Sequence, residues 1–459
     1  MLKSDKKSLI NNIKNLKITE GIDEDVDEFD YEGFISLFSQ IICSDNLQSD
    51  TKITTFIQNI TTNEGEFNWK LFDDIDGPNY LIKHLRMEPI DDLLFANILK
   101  VLLMLIQYDD YFAQKLIENN FFSIIQDKLN NKNALIIELI SEIYNEITFN
   151  KSIDDGIILA IADTFFIKAI NLIMTNENEK ITSNCLLFFN NVLKRSLEID
   201  KDHFYALQRL FIKTLNINNE DVLYGGINCL IQLSIIKQYR NATFPLDDLT
   251  KKSFELIKSY PQNPRIINSC MNLICYLYTV YIEVHDDLPL ELIPLIDFNI
   301  VFELVLIDNY LSQYYSSLLI HILTGRGNLF IQSLLDNGFL NILPNILSNS
   351  KYTAIIFILN SMKNLFYLSS TEQLLFIFNN EAIASFLQFL NDYESELSPY
   401  LLHSIITAIE KFPTTFLPKI AEIFINNGCA EILESLIDNQ NNSVSEFANR
   451  ILMILNIAP

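Results

Sequence analysis

The sequence predicts an all-α, right-handed solenoid of about ten helical repeats. Three observations carry that prediction. A short grammar recurs: an apolar pair, a turn rich in Asn and Gly, apolar residues at helical spacing, then a polar break. It reads "LLDNGFLNILPNILSNSK" at 334–351, "FINNGCAEILESLIDNQN" at 424–441 and "LIENNFFSIIQDKLNNKN" at 116–133. Breakers are scarce, 11 Gly and 12 Pro in 459 residues, which favours helices with short connections. Apolar residues make up 49% of the chain and fall three and four apart rather than alternating.

Aligned on Gly338, the grammar recurs with anchors at Gly33, Asp76, Asn120, Phe165, Ala206, Asp248, Asp297, Gly338, Glu381 and Gly428. The steps are 43, 44, 45, 41, 42, 49, 41, 43 and 47 residues, a period that places one helical hairpin in each unit. After the anchor comes a short helix, such as "FLNILPNIL" or "CAEILESLI". A polar break and a longer helix follow, as in 351–368, 181–197 and 443–455. The long helices are apolar around much of their circumference and need cover on several sides, which stacking supplies. A Gly or Asn at the anchor suits the left-handed residue that ends one helix before the next begins.

Residues 33–459 are therefore expected to form the solenoid and residues 1–32 a flexible arm. The arm begins weakly basic (Lys3, Lys6, Lys7, Lys14, Lys17) and continues as "EGIDEDVDEFDYE", with eight acids and no base. The stretch "RNATFPLDDL" at 240–249 reads as a loop between units.

The formal charge is −25. Such a field repels phosphate and disfavours nucleic acid, while it suits basic peptides. The six cysteines (Cys43, Cys185, Cys229, Cys270, Cys275, Cys429) form no C-x-x-C pair and sit in apolar helical contexts, so buried, reduced thiols and a cytoplasmic or nuclear location are expected. No apolar run reads as long and charge-free enough to span a membrane, and the first 20 residues lack the apolar core of a signal peptide.

Catalytic patterns are absent: no G-x-x-x-x-G-K-[ST], H-E-x-x-H or G-x-S-x-G occurs. "GRGNLF" at 325–330 reads as a turn. The histidines are scattered, and His321 and His403, on apolar helices, read as satisfied core residues. "DDI", "DDL" and "DDG" read as helix caps. No enzyme activity, metal or cofactor is expected.

One pattern carries functional content. Counting 26 residues from an anchor reaches Asn59, Asn191, Gln232 and Asn364, and 25 reaches Asn145. Five units thus place a carboxamide at one position of the long helix. A carboxamide offers a donor and an acceptor side by side, matching the backbone of an extended peptide. These five residues are the candidate peptide-binding site.

Asn-Gly turns, a period near 44 and Asn at position 26 resemble armadillo repeats, within the wider armadillo/HEAT class of solenoids. The arm, the acidic body and two stretches, 321–350 and 436–452, resemble importin alpha, the nuclear-import adaptor. The resemblance implies an import adaptor that holds a Lys/Arg-rich nuclear-localisation peptide in its concave groove and binds importin beta through residues 1–32. The alternative is a general armadillo scaffold for cytoskeletal, signalling or chaperone partners. In importin alpha a Trp precedes each groove Asn by four residues and forms slots for lysine. Here those positions hold Thr55, Ser141, Leu187, Asn228 and Asn360, and the only tryptophan, Trp69, lies elsewhere. The expected affinity for a basic peptide is correspondingly weaker.

Overall fold

A computed structural model describes residues 72–73, 77–86, 90–175, 177–195, 199–236, 239, 244–392 and 396–457. The arm at 1–32, the first anchors Gly33 and Asp76, Cys43, Thr55, Asn59, Trp69 and residues 240–243 of the expected loop lie outside them. Every regular element among the described residues is a helix. The chain divides into two compact units between Ile143 and Tyr144.

In the first unit, α1 (Gly77–Leu85) and α3 (Asp110–Glu118) both pack on the long helix α2 (Asp92–Tyr108). The short α4 (Phe121–Gln126) follows, and then a 3-10 turn, Asp127–Asn130. Asp91 caps α2 by accepting from the backbone N–H groups of Leu93 and Leu94. Asn120 sits between α3 and α4 at φ 53°, the left-handed turn its anchor position predicts.

The second unit contains two kinds of repeat. Three repeats pair two helices each: α6 (Asp155–Thr175) with α7 (Glu179–Lys194), α8 (Lys201–Thr214) with α9 (Glu220–Ile235), and α10 (Leu246–Ser259) with α11 (Pro264–His285). A transitional repeat follows, with a 3-10 turn (Leu290–Leu295), α12 (Phe298–Leu306) and α13 (Tyr310–Thr324). The last three repeats each have three helices. They are α14 (Asn328–Asp336), α15 (Phe339–Asn349) and α16 (Tyr352–Leu368); α17 (Thr371–Phe378), α18 (Ala382–Asp392) and α19 (Ser398–Glu410); and α20 (Leu417–Asn426), α21 (Cys429–Ile437) and α22 (Asn442–Leu455).

The long helices form a continuous layer, α7 on α9, α9 on α11, α11 on α13, α13 on α16, α16 on α19 and α19 on α22. A second layer runs α12, α15, α18, α21. Between the layers lies a core of Leu, Ile and Phe, with Phe165, Phe188 and Phe189 fully buried. Long helices begin at 92, 134 (α5, Ala134–Phe149), 179, 220, 264, 310, 352, 398 and 442. Successive starts are 41 to 46 residues apart, so the predicted period holds.

The predicted register does not hold throughout. Phe165, Ala206 and Asp248 lie inside α6, α8 and α10 instead of at turns. No Gly or Asn stands there to take a left-handed conformation, so the two short helices of a three-helix unit are replaced by one. Asp297 caps α12. Gly338 and Gly428 adopt φ 87° and 73° at the starts of α15 and α21.

Helix α6 also overturns the reading that no run could span a membrane, since its 21 residues are long and apolar enough by length and composition. Its Ile158, Ala162, Phe165, Phe166 and Ala169 are buried, and it packs on α7 and α8. Asp163 and Lys168 interrupt the run.

Candidate peptide-binding face

Polar side chains fix the ends of most of the long helices. Asn178, Asn219, Asn263, Asn309 and Asn441 cap α7, α9, α11, α13 and α22, each accepting backbone N–H bonds through its side-chain oxygen. The amide nitrogen of two of these caps reaches the preceding repeat. Asn219 Nδ2 donates to Glu179 Oε2 at 2.7 Å, and Asn263 Nδ2 donates to Glu220 Oε2 at 2.7 Å. Both acceptors occupy the first turn of the previous long helix, where a carboxylate also suits the helix dipole.

At the opposite ends, cations bind exposed carbonyls. Arg195 donates to the carbonyls of Thr148, in the last turn of α5, and Asn150, just beyond it, and pairs with Asp155. Arg326 donates to Asp286 O at 3.0 Å. Lys411 donates to the carbonyls of Tyr367 and Ser369 at 2.6 and 3.0 Å. These contacts tie neighbouring long helices of the layer together. A half-buried stripe remains on some of them, as at Tyr224, Asn228 and Gln232 of α9, whereas α7 is buried from Ile181 to Leu193 except for the half-buried Leu187.

The candidate amides lie along that layer. Measured from the residue before each long helix, Asn145 is the twelfth residue of its helix, and Asn191, Gln232 and Asn364 are the thirteenth. The anchor count therefore reached equivalent positions even where its anchor was not a turn. Asn191 Nδ2 donates to Asn145 Oδ1 at 3.0 Å and to Asn145 O at 3.3 Å, so these two amides meet across neighbouring helices. Asn364 Nδ2 reaches Thr324 Oγ1 at 3.4 Å. Gln232 is half-buried and has no hydrogen bond among the described residues. The same position holds Tyr276 in α11 and Ile322 in α13, so the row is interrupted.

Among the described residues, the positions that importin alpha fills with tryptophan hold Ser141, Leu187, Asn228 and Asn360, none of them aromatic. Asn228 Nδ2 and Asn360 Nδ2 donate to carbonyls of their own helices, Tyr224 O and Ile356 O. Ser141 Oγ donates to Glu138 O. Nor do acids flank the amides generally. Glu146 follows Asn145, but Lys363 precedes Asn364, and no acid neighbours Gln232.

Sequence reasoning missed an aromatic band on this face. Tyr310 and Tyr314 have ring centroids 6.3 Å apart, Tyr314 and Phe357 5.4 Å, and Phe357 and His321 6.0 Å. Tyr276 is 40% exposed and Tyr310 50%. Burial, with Tyr276, Cys275 and Tyr314 beside it, pushes the Tyr315 phenol up to about 12. Tyr310, Tyr314 and His321 lie on α13, but Tyr276 and Phe357 come from α11 and α16, so no spacing within one helix reveals the band.

The histidine reading also changes. His403 is exposed and packs against Phe447, 5.4 Å away. His321 is half-buried in the aromatic band, and its Nδ1 finds no hydrogen-bond partner. Burial, then the nearby Arg326 and Lys363, lowers its pKa. Cys185, Cys229, Cys270, Cys275 and Cys429 are free and buried as expected, and burial raises their thiol pKa values. Among the described residues no group of three or more His, Cys, Asp or Glu could hold a metal ion.

No protein-family model matches the sequence, and no curated protein matches it. Solved structures do match in shape. An engineered protein superposes with a TM-score of 0.64 at 13% identity, covering 93% of this chain and 99% of the other. A structure from work on a phosphorylation switch controlling the interaction between cadherin and beta-catenin superposes with a TM-score of 0.61 at 13% identity, covering 92% and 86%. The fold is armadillo-like. That likeness agrees with the two-layer repeat, and at 13% identity it speaks to the fold alone.

Proposed function

We propose that this chain is a non-catalytic, protein-binding solenoid that holds an extended segment of a partner across the open face of its long helices. The observation that carries the reading is the shared register of the half-buried Asn145, Gln232 and Asn364 on three long helices; Asn191 lies at the same level but is buried and bonded to Asn145. Amides at one helical level can meet a peptide backbone at repeated intervals. The armadillo-like neighbours support the fold this needs, and one of them comes from work on a cadherin–beta-catenin interaction.

The test is binding of labelled extended peptides to the full chain by fluorescence anisotropy, before and after Gln232→Ala with Asn364→Ala. Loss of binding with an unchanged circular dichroism spectrum supports the reading. A peptide that binds both proteins equally does not use this face.

A second reading, a nuclear-import adaptor shared between cytoplasm and nucleus, is favoured by one feature. The net charge of −25 suits a Lys/Arg-rich segment. Binding of a Lys/Arg-rich nuclear-localisation peptide to the full chain tests the cargo half. Binding of a peptide spanning residues 1–32 to importin beta tests the other half. Failure of the basic peptide at tens of micromolar, a free energy weaker than about −6 kcal/mol, rejects the adaptor.

A further inference from the structure

The chain has 58 acidic residues among 459, yet three successive long helices hold only one. Helices α11, α13 and α16, of 22, 15 and 17 residues, contain Glu283 alone, in the last turn of α11. At the chain's average they would hold about seven. Their open side is aromatic instead: Tyr276, Tyr314 and Phe357 lie between neutral amides. Two cations on or beside the band, Lys363 and Arg326, have no carboxylate partner among the described residues. Arg265, further along, is already paired with Asp221 and stacked on Tyr224.

We infer that the band on α11, α13 and α16 binds an extended, acidic segment of a partner protein that also carries aromatic side chains. This rests on the long-helix face being the peptide-binding face. A strongly acidic protein repels an acidic partner nearly everywhere else on its surface. Helices α13 and α16 themselves carry no carboxylate, and the acids nearest in sequence, Glu283, Asp286 and Asp287, lie at and beyond the end of α11, so the band repels such a partner least, which is specificity by exclusion. The partner's carboxylates reach Lys363 and Arg326. Its rings lie against the contiguous surface formed by Tyr310, Tyr314 and Phe357. The pKa of His321 is lowered first by burial and then by the same two cations. Two unpaired cations are too few to hold a phosphate backbone against a net charge of −25, so a peptide is favoured over a nucleic acid.

The test uses the full chain and three labelled peptides of equal length. All share the same Phe and Tyr positions, with the intervening residues Asp/Glu, Ser or Lys. Oligo-dT serves as a fourth probe. The acidic peptide is expected to bind about tenfold or more tightly than the Lys peptide, and to weaken as salt rises. Lys363→Glu should weaken it by about tenfold or more, while Lys213→Glu, on the exposed side of α8, should leave it unchanged. A Lys peptide that binds as well as the acidic one, a Lys363→Glu variant with unaltered affinity, or tighter binding of oligo-dT overturns the inference. If the Ser or Lys peptide binds and Gln232→Ala with Asn364→Ala abolishes it, the peptide-binding reading stands and only the partner's chemistry falls. If no peptide binds, both fall.

Discussion

The two-helix repeats before α12 and the three-helix repeats after α13 use glycine in opposite ways. In α9, Gly225 and Gly226 provide room. A Cβ on Gly225 would lie 2.8 Å from Leu186 Cβ in α7, and one on Gly226 would lie 2.2 Å from Thr214 Oγ1 in α8. Gly338 and Gly428 provide conformation instead, taking φ 87° and 73° where one short helix hands over to the next. In the first region a continuous short helix must lie close to its long neighbour. In the second the chain must turn sharply between two short helices. The same period of 41 to 46 residues is thus built from two different local solutions.

The largest effect is expected from filling the close approach. Gly226→Ala should destabilise the protein by about 1–3 kcal/mol, the usual cost of overpacking. Thr214 is itself buried and donates to Phe211 O at 2.7 Å, so it has little room to yield. Thr214→Ala removes the clashing hydroxyl and leaves a Cβ at 3.4 Å. Adding it to Gly226→Ala should therefore recover much of the loss in urea denaturation. An unchanged midpoint for Gly226→Ala alone would show that α8 and α9 have slack.

The turn region should respond less. Gly338→Ala forces a Cβ into a left-handed conformation, at a cost of about 1–2 kcal/mol. Gly338→Asn should cost less than Ala, because Asn120 already takes φ 53° at the corresponding turn. Equal losses for Ala and Asn would mean that crowding by Asn341, 3.2 Å away, dominates over backbone strain.

This contrast explains which parts of the structure were legible. The turn glycines announce themselves because a left-handed residue before an apolar run is a local signal. The long helices were legible too, since α7, α16 and α22 match the segments read from their apolar spacing. The close-approach glycines carry no such signal; "YGGIN" looks like a weak helix until α8 is placed beside it. The missing turns at Phe165, Ala206 and Asp248 were masked because the repeat length stayed constant. Of the candidate site, the amide register could be counted. The aromatic band could not, because Tyr276, Tyr314 and Phe357 come from three different helices.

The asparagines divide in the same way. Asn178, Asn219 and Asn263 cap helices, and their signal is local: a polar residue just before an apolar periodic run. The pairing of Asn191 with Asn145 depends on two neighbouring helices and lies in the two-helix region. Asn191→Ala should cost about 1 kcal/mol, the net worth of an intramolecular hydrogen bond. Combined with Asn145→Ala, the two losses should be less than additive in a double-mutant cycle. Strict additivity would show that the contact contributes nothing to holding α5 and α7 together.

The smallest effect should appear where the two architectures meet. Helix α13 contacts α11 on one side and α16 on the other, and it carries His321. Burial, followed by Arg326 and Lys363, holds the His321 pKa below its ordinary value of 6.5. The unfolded chain therefore binds a proton more readily than the folded one. Stability is intact above about pH 6.5 and is lost as pH falls from there towards the folded pKa. His321→Gln should flatten that part of the pH–stability curve and leave the neutral plateau nearly unchanged. If the effect is local, mild acid should reduce amide hydrogen-exchange protection in α13 and α16 before it does so in α7 and α9. Uniform loss of protection would instead mean that the two-helix and three-helix regions unfold as one cooperative body, and that their different use of glycine does not divide the stack energetically.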